Sequence, residues 1–179
     1  MFSLQNRHTN EMGKEEFEKT VFILKDKLFR FARRIINNTD DAEDVVQELM
    51  IVLWNKRTEL KKFKNIEAYA MRSVKNMSID KLKHYKVRQD KMQDIKDINP
   101  QIYNDLSNEK NEMSKLIRTA IEGLPEKQKL VMHLRDIEGY SFEEMETVLE
   151  MNIVALRVNL SRARKQVKEQ ILKIVNYGL

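Results

Sequence analysis

SFEEMETVLEMNIVALRVNLSRARKQVKE, residues Ser141–Glu169, contains two helix starts within twelve residues. Ser141 followed three residues later by Glu144 is a capping box. The serine hydroxyl can accept from the Glu144 backbone N–H while the glutamate reaches back to the serine N–H. The short helix it opens ends near Glu150. Asn152 can cap a second, longer helix that runs to about Val175. From Arg157 to Lys173 that helix carries six Lys/Arg against one Glu, a net of +5. A short capped helix, a tight turn and a basic helix form the pattern of a helix-turn-helix, whose second helix enters the major groove of DNA N-terminal end first. The same residues would also suit the solvated face of an ordinary bundle. Alone, the pattern divides evenly between the two.

Composition extends the helical reading to the whole chain. Only four Gly and two Pro occur among 179 residues, and Leu, Ile, Glu, Lys, Met and Gln are plentiful. That predicts an all-α protein with short connections. Apolar residues make up 41%, enough for two modest cores but not for one deep one. The absence of cysteine excludes disulfides, thiolate metal sites and a cysteine nucleophile, and three scattered histidines (His8, His84, His133) make no zinc site. We therefore expect no cofactor and no metal. No stretch approaches the roughly 20 apolar residues of a membrane span, and MFSLQNRHTNEMGKEEF lacks a signal-peptide core. The expectation is a soluble, cytoplasmic protein with no membrane insertion.

Periodicity divides the chain. Residues 1–13 read as a loose tail. Phe17, Val21, Leu24, Leu28, Phe31 and Ile35 then recur at helical spacing. "NNTD" breaks the pattern, and Thr39 or Asp40 is the expected cap of a helix burying Ala42, Val45, Val46, Leu49 and Leu53. A third helix is expected from about Ile66 to Lys86, burying Ala70, Val74, Met77 and Leu82 with Tyr69 and Ile79 flanking. Residues 14–87 form the first expected domain. Residues 88–113 are polar, contain Pro100 and have four Lys/Arg against six Asp/Glu, which predicts a flexible linker. The second domain, 114–179, opens with a helix from Ser114 to Glu122 stopped by Gly123. Pro125 is expected at the first position of the next helix, which runs to about Asp136, and "EGYS" turns into the helix-turn-helix.

The first domain places opposite charges side by side. Asp40, Asp41, Glu43, Asp44 and Glu48 fall within nine residues of one helix. Asp44, Gln47, Glu48 and Ile51 share a face away from the apolar stripe, and an isoleucine amid carboxylates suits a protein partner better than water. Trp54, nearby, divides evenly between that face and the core. From Trp54 to Val87 follow ten Lys/Arg against three acids, with Phe63 and Tyr69 interleaved. Cations neutralise phosphates and aromatic faces stack bases, which is how single-stranded DNA is held. Tyr69 is more simply read as core.

"DDAEDVVQELMIVLWNK", "NIEAYAMRSVKNMSIDKLK", "LPEKQKLVMHLRDIEGYSFEEMETVLEMN" and "LSRARK", in this order and with these gaps, resemble the extracytoplasmic-function (ECF) sigma factors of bacterial RNA polymerase. The resemblance covers nearly everything from Phe17 to about Leu172 and implies a function. A first domain, region 2, would dock on the clamp helices of the polymerase β′ subunit through Asp44, Gln47, Glu48, Ile51 and Trp54. It would also melt and read the −10 promoter element. By the resemblance, Lys62, Phe63, Lys64 and Asn65 belong to a loop that captures a flipped base, and Lys75 and Asn76 face the non-template strand. Arg72-Ser73 stand where primary sigma factors carry a tryptophan wedge, which implies weaker melting.

The second domain, region 4, would read the −35 element with Asn152, Val154, Ala155, Arg157, Ser161, Arg162, Arg164 and Lys165. The implied partners are core polymerase (β′ and β subunits), promoter DNA and an anti-sigma factor; no enzymatic activity is implied. Two departures bear on −35 preference: Glu150-Met151 where the family often has glycine in the turn, and Ala155 and Asn159 where Thr and a basic residue are frequent. The competing readings are a stand-alone helix-turn-helix regulator and, more distantly, a metal-dependent enzyme using Asp41 and Asp44.

Overall fold

The computed structural model describes residues 12–91 and 112–177. Among the described residues every regular element is a helix, and the chain divides into two units, Met1–Gln101 and Ile102–Leu179.

In the first unit, α1 (Lys14–Thr20), a 3₁₀ turn (Phe22–Leu24), α2 (Lys25–Ile36), α3 (Thr39–Asn55), α4 (Arg57–Leu60) and α5 (Ile66–Lys91) follow one another. The single helix expected through Phe17–Ile35 is thus broken at Val21. Phe17, Val21, Leu24, Leu28 and Phe31 are all buried, but across a change of helix type, and Ile36 takes the buried place expected of Ile35. Met12, expected in the loose tail, is fully buried, and Gly13 caps α1; residues 1–11 lie outside the described residues. A flexible thioether chain fills an irregular core gap at little cost in strain.

α2, α3 and α5 pack on each other and hold the core of this unit. α2 stops because Asn37 adopts the left-handed conformation (φ 56°), its N–H returning to the Arg33 carbonyl at 2.9 Å. Asparagine tolerates that region better than other residues bearing a Cβ. The cap of α3 is then Asn38, not Thr39 or Asp40: its Oδ1 accepts from the Asp41 N–H at 3.0 Å. Once Asn37 has turned the chain, the next residue is the one in extended conformation, and Asp40 and Asp41 fall in the first turn, where the helix dipole favours them. Ala42, Val45, Val46, Leu49 and Leu53 are buried as the spacing predicts. Truncating a leucine such as Leu49 to alanine in such a core costs about 2–5 kcal/mol. On α5 the buried stripe is Ala68, Ala70, Met71, Val74 and Ser78, while Met77 and Leu82 are only half-buried. α5 also continues to Lys91, into the expected linker, and α6 begins at Glu112; residues 92–111 lie outside the described chain.

The second unit comprises α6 (Glu112–Glu122), α7 (Glu126–Met132), a π turn (His133–Ile137), α8 (Phe142–Leu149) and α9 (Ile153–Tyr177). Pro125 is the cap of α7 (φ −58°, ψ 144°) rather than its first residue, its carbonyl accepting from the Gln128 and Lys129 N–H groups. The expected helix to Asp136 widens at its end, where the Glu138 N–H reaches back five residues to the His133 carbonyl at 3.0 Å. Gly139, at φ +76°, makes the turn that follows, a conformation other residues rarely adopt. α9 packs against α6, α7 and α8 and supplies Leu156, Leu160, Ala163 and Val167 at helical spacing to the core. Ala120, Leu124, Ala163 and Val167 form one buried cluster.

Candidate functional site

The helix-turn-helix is built as the capping chemistry requires. The Ser141 hydroxyl accepts from the Glu144 N–H at 3.2 Å, and Glu144 Oε2 accepts from the Ser141 N–H at 2.8 Å. α8 ends at Glu150 in the left-handed conformation (φ 56°, ψ 41°), so the turn forms without a glycine. Asn152 Oδ1 accepts from the Ala155 N–H at 2.8 Å and starts α9. With Leu156 and Leu160 turned inward, the opposite face presents Val154, Arg157, Val158, Ser161, Arg162 and Lys165 to solvent. Two guanidinium groups converge on one ring: Arg157 lies 5.2 Å and Arg135 5.1 Å from the centroid of Phe142, and Arg135 Nη1 also donates to the Tyr140 carbonyl at 2.6 Å. Arg164 is held differently. Its Nε donates to Asp136 Oδ2 at 3.2 Å and its Nη2 to Oδ1 at 2.5 Å, a two-pronged pair that ties α9 to the π turn.

In the first unit, Gln47, Glu48 and Ile51 are exposed on α3, with Ile51 at 62%. Asp44 is exposed as well, but one oxygen lies 3.2 Å from Lys81 Nζ. Lys81 sits 2.8 Å from Asp41 Oδ1, which also accepts from the Tyr85 hydroxyl at 2.6 Å. The acidic start of α3 is thereby clamped to α5. Burial opposes ionisation of Asp41, but the hydrogen bonds from Lys81 and Tyr85 outweigh it and hold the carboxyl below its ordinary range. Burial likewise works against the Lys81 ammonium, and its two carboxylate partners more than compensate, raising its pKa. Trp54 is half-buried, edge-on to Phe17 at 5.1 Å, with the Arg57 guanidinium 4.7 Å above its ring.

Beyond α4 the loop 61–65 is exposed, and Phe63 stacks on Tyr69 (centroids 4.1 Å, planes 21° apart). Asn65 Oδ1 caps α5 by accepting from the Ala68 N–H at 2.8 Å. Among the described residues no cluster of His, Asp and Glu is arranged to hold a metal ion, and no helix is long and apolar enough to cross a membrane.

Residues 23–88 match the family described as Sigma-70 region 2, and residues 114–167 the one described as Sigma-70, region 4. The ECF RNA polymerase sigma factor SigE of Mycolicibacterium smegmatis is 26% identical over 156 residues, 83% of this chain and 58% of its own length. SigW of Bacillus subtilis, also an ECF sigma factor, is 22% identical over 183 residues, covering 96% of this chain and 97% of its own. The chain belongs to the ECF sigma factors. Its fold is also that of the sigma factor RpoE solved with the anti-sigma factor NepR from Bartonella quintana (TM-score 0.70, 20% identity, 88% of this chain and 97% of that one).

The two matched regions contain every candidate polymerase- and DNA-contacting residue singled out in the sequence. Gln47, Glu48 and Ile51 come together on one exposed face of the sigma factor, with Asp44 beside them but engaged by Lys81, and Trp54 turned partly inward. Lys62, Phe63, Lys64 and Asn65 share one exposed loop, and Asn76 is exposed on α5. Lys75, expected to face the non-template strand, is instead 6% exposed. It is buried on α5 beside Val74 and one turn from both Met71 and Ser78. Ala155 is half-buried between exposed Val154 and the core. Sequence reasoning missed Asp41, Lys81 and Tyr85 as a clamp, Asp136 as the partner of Arg164, and Phe142 as the ring under two arginines. Each joins residues far apart in the chain, where helical periodicity carries no signal.

Proposed function

We propose that this sigma factor binds core RNA polymerase and directs promoter-specific initiation, with α3 docking on the β′ clamp helices, α5 and the loop before it melting and reading the −10 element, and α9 reading the −35 element. The observation that carries this reading is the exposed strip Gln47–Glu48–Ile51: an isoleucine kept in solvent beside carboxylates, on a helix whose other face is fully committed to the core. Loop residues Lys62, Phe63, Lys64 and Asn65 would meet the flipped base with Asn76 on the same strand. Of these, Asn65 would act through its amide nitrogen, since its oxygen caps α5. Arg162 and Lys165 neutralise phosphates, and Asn152, Val154, Ala155, Arg157 and Ser161 lie toward the groove-facing end. Since the structurally similar RpoE was solved with the anti-sigma factor NepR, an anti-sigma factor is the expected regulator. The protein acts in the cytoplasm and contributes no catalytic group of its own.

The test is Gln47→Ala with Glu48→Lys. Both positions are exposed, so stability should stay within about 0.5 kcal/mol of the parent. Affinity for core polymerase should fall while helicity and melting temperature hold. Undiminished capture of core polymerase by the double variant would sink the docking assignment. Operator binding without polymerase would favour a stand-alone regulator.

A further inference from the structure

The N-terminal half of α9 keeps two valines in solvent. Val154 is 72% and Val158 41% exposed, and four residues of separation place them on one face. The amides beside them are already occupied. Asn152 Oδ1 accepts from the Ala155 N–H, and Asn159 Nδ2 donates to the Ala155 carbonyl, each at 2.8 Å. An asparagine that reads adenine uses its oxygen and its nitrogen together, and each of these has one of the two committed to backbone. Each amide is thereby tethered to the backbone of α9, and the apolar face beside them is prominent.

We propose that Val154 and Val158 read the 5-methyl groups of thymine, so that the −35 element of this protein carries A·T pairs at the steps they face. The proposal rests on α9 being the duplex-reading helix. Charge complementarity selects the occupant: exposed Arg157, Arg162 and Lys165 follow along the same helix, whose stretch from Arg157 to Lys173 carries a net charge of +5. Such a stretch attracts a polyanion. In the major groove thymine is the base that offers a methyl group, whereas guanine and cytosine edges offer hydrogen-bonding atoms. Valine set against those edges would desolvate them without replacing their partners.

The full chain assembled with core polymerase is used to select from a random duplex library, and the enriched −35 duplex is measured again with single thymines replaced by deoxyuridine, which removes only the methyl. At one or two positions affinity should fall about fourfold, the equivalent of roughly 0.8 kcal/mol for one buried methyl-sized group. Val154→Ala protein, altered at a solvent-facing residue, should no longer distinguish the two bases at one of those positions, and Val158→Ala at another. Indifference to deoxyuridine everywhere, or enrichment of G·C pairs alone, overturns the proposal while leaving duplex reading by α9 intact. Loss of core binding in Val154→Ala with deoxyuridine sensitivity unchanged would assign the face to a protein partner and overturn it too. Failure to enrich any duplex removes the reading of α9 and the proposal with it.

Discussion

Arg164 lies in the middle of α9, where charge alone groups it with Arg162 and Lys165 as a phosphate contact, yet its guanidinium fork is engaged by both oxygens of Asp136. The hydrogen bond to that carboxylate also raises its pKa further. A cation already neutralised releases few counterions on binding DNA. Replacing Arg162 by alanine should therefore reduce the slope of log affinity against log salt by about one. Arg164→Ala should leave the slope nearly unchanged and instead lower the melting temperature slightly, since a half-exposed pair contributes up to about 1 kcal/mol. Binding titrations of the polymerase-bound protein at several salt concentrations separate the two. The Asp41–Lys81 clamp makes a second prediction at this scale. Because the folded Asp41 pKa lies below the unfolded one, its contribution is present above the ordinary carboxylate pKa of 3.8 and is lost as pH falls through the lower folded value. Lys81 has the opposite sign: its contribution is complete below its ordinary 10.5 and disappears as pH rises through the higher folded value. In Lys81→Met the stability gained between about pH 2 and 5 should shrink, as read from urea midpoints across that range. An unchanged gain would mean that Lys81 does not hold the Asp41 charge.

Single residues at turns decide where the helices begin and end. Glu150 takes a left-handed conformation at the end of α8, which costs a residue with a Cβ roughly 1–2 kcal/mol. Glycine avoids that cost but brings a more flexible unfolded chain, worth about 0.4–1 kcal/mol in the other direction. Glu150→Gly should therefore stabilise the protein by about 0.5 kcal/mol, a small upward shift in thermal unfolding; a clear loss would mean that the Glu150 side chain has a structural role of its own. The capping box at Ser141 and the stripe of α3 were legible because both depend on residues three or four apart. The break at Val21 was not, since the buried residues on either side keep a spacing compatible with one continuous helix. The same limit explains Lys75. Its type suggests the surface, but its position on α5 aligns it with Met71, Val74 and Ser78, and position prevails.

At the scale of the molecule, the all-helical class and the division into two units could be read from glycine and proline scarcity and from the polar stretch after Val87. What the sequence could not convey was how charges are matched across helices. Asp44 was read as a polymerase-docking residue and Arg164 as a −35 contact, and both meet partners supplied by another helix or turn. The first unit also contains the only tryptophan of the chain, Trp54, edge-on to Phe17 and beneath Arg57. Emission excited at the red edge of the absorption band therefore reports on that unit and is blind to the other, whereas circular dichroism sums both. If the units unfold independently, the two signals should give different midpoints in the same denaturant series; coincident curves would indicate one cooperative transition. Trp54 lies one turn beyond Ile51 on α3, so if that strip docks on polymerase as proposed, the same emission should shift and serve as the protein's own optical label for the encounter.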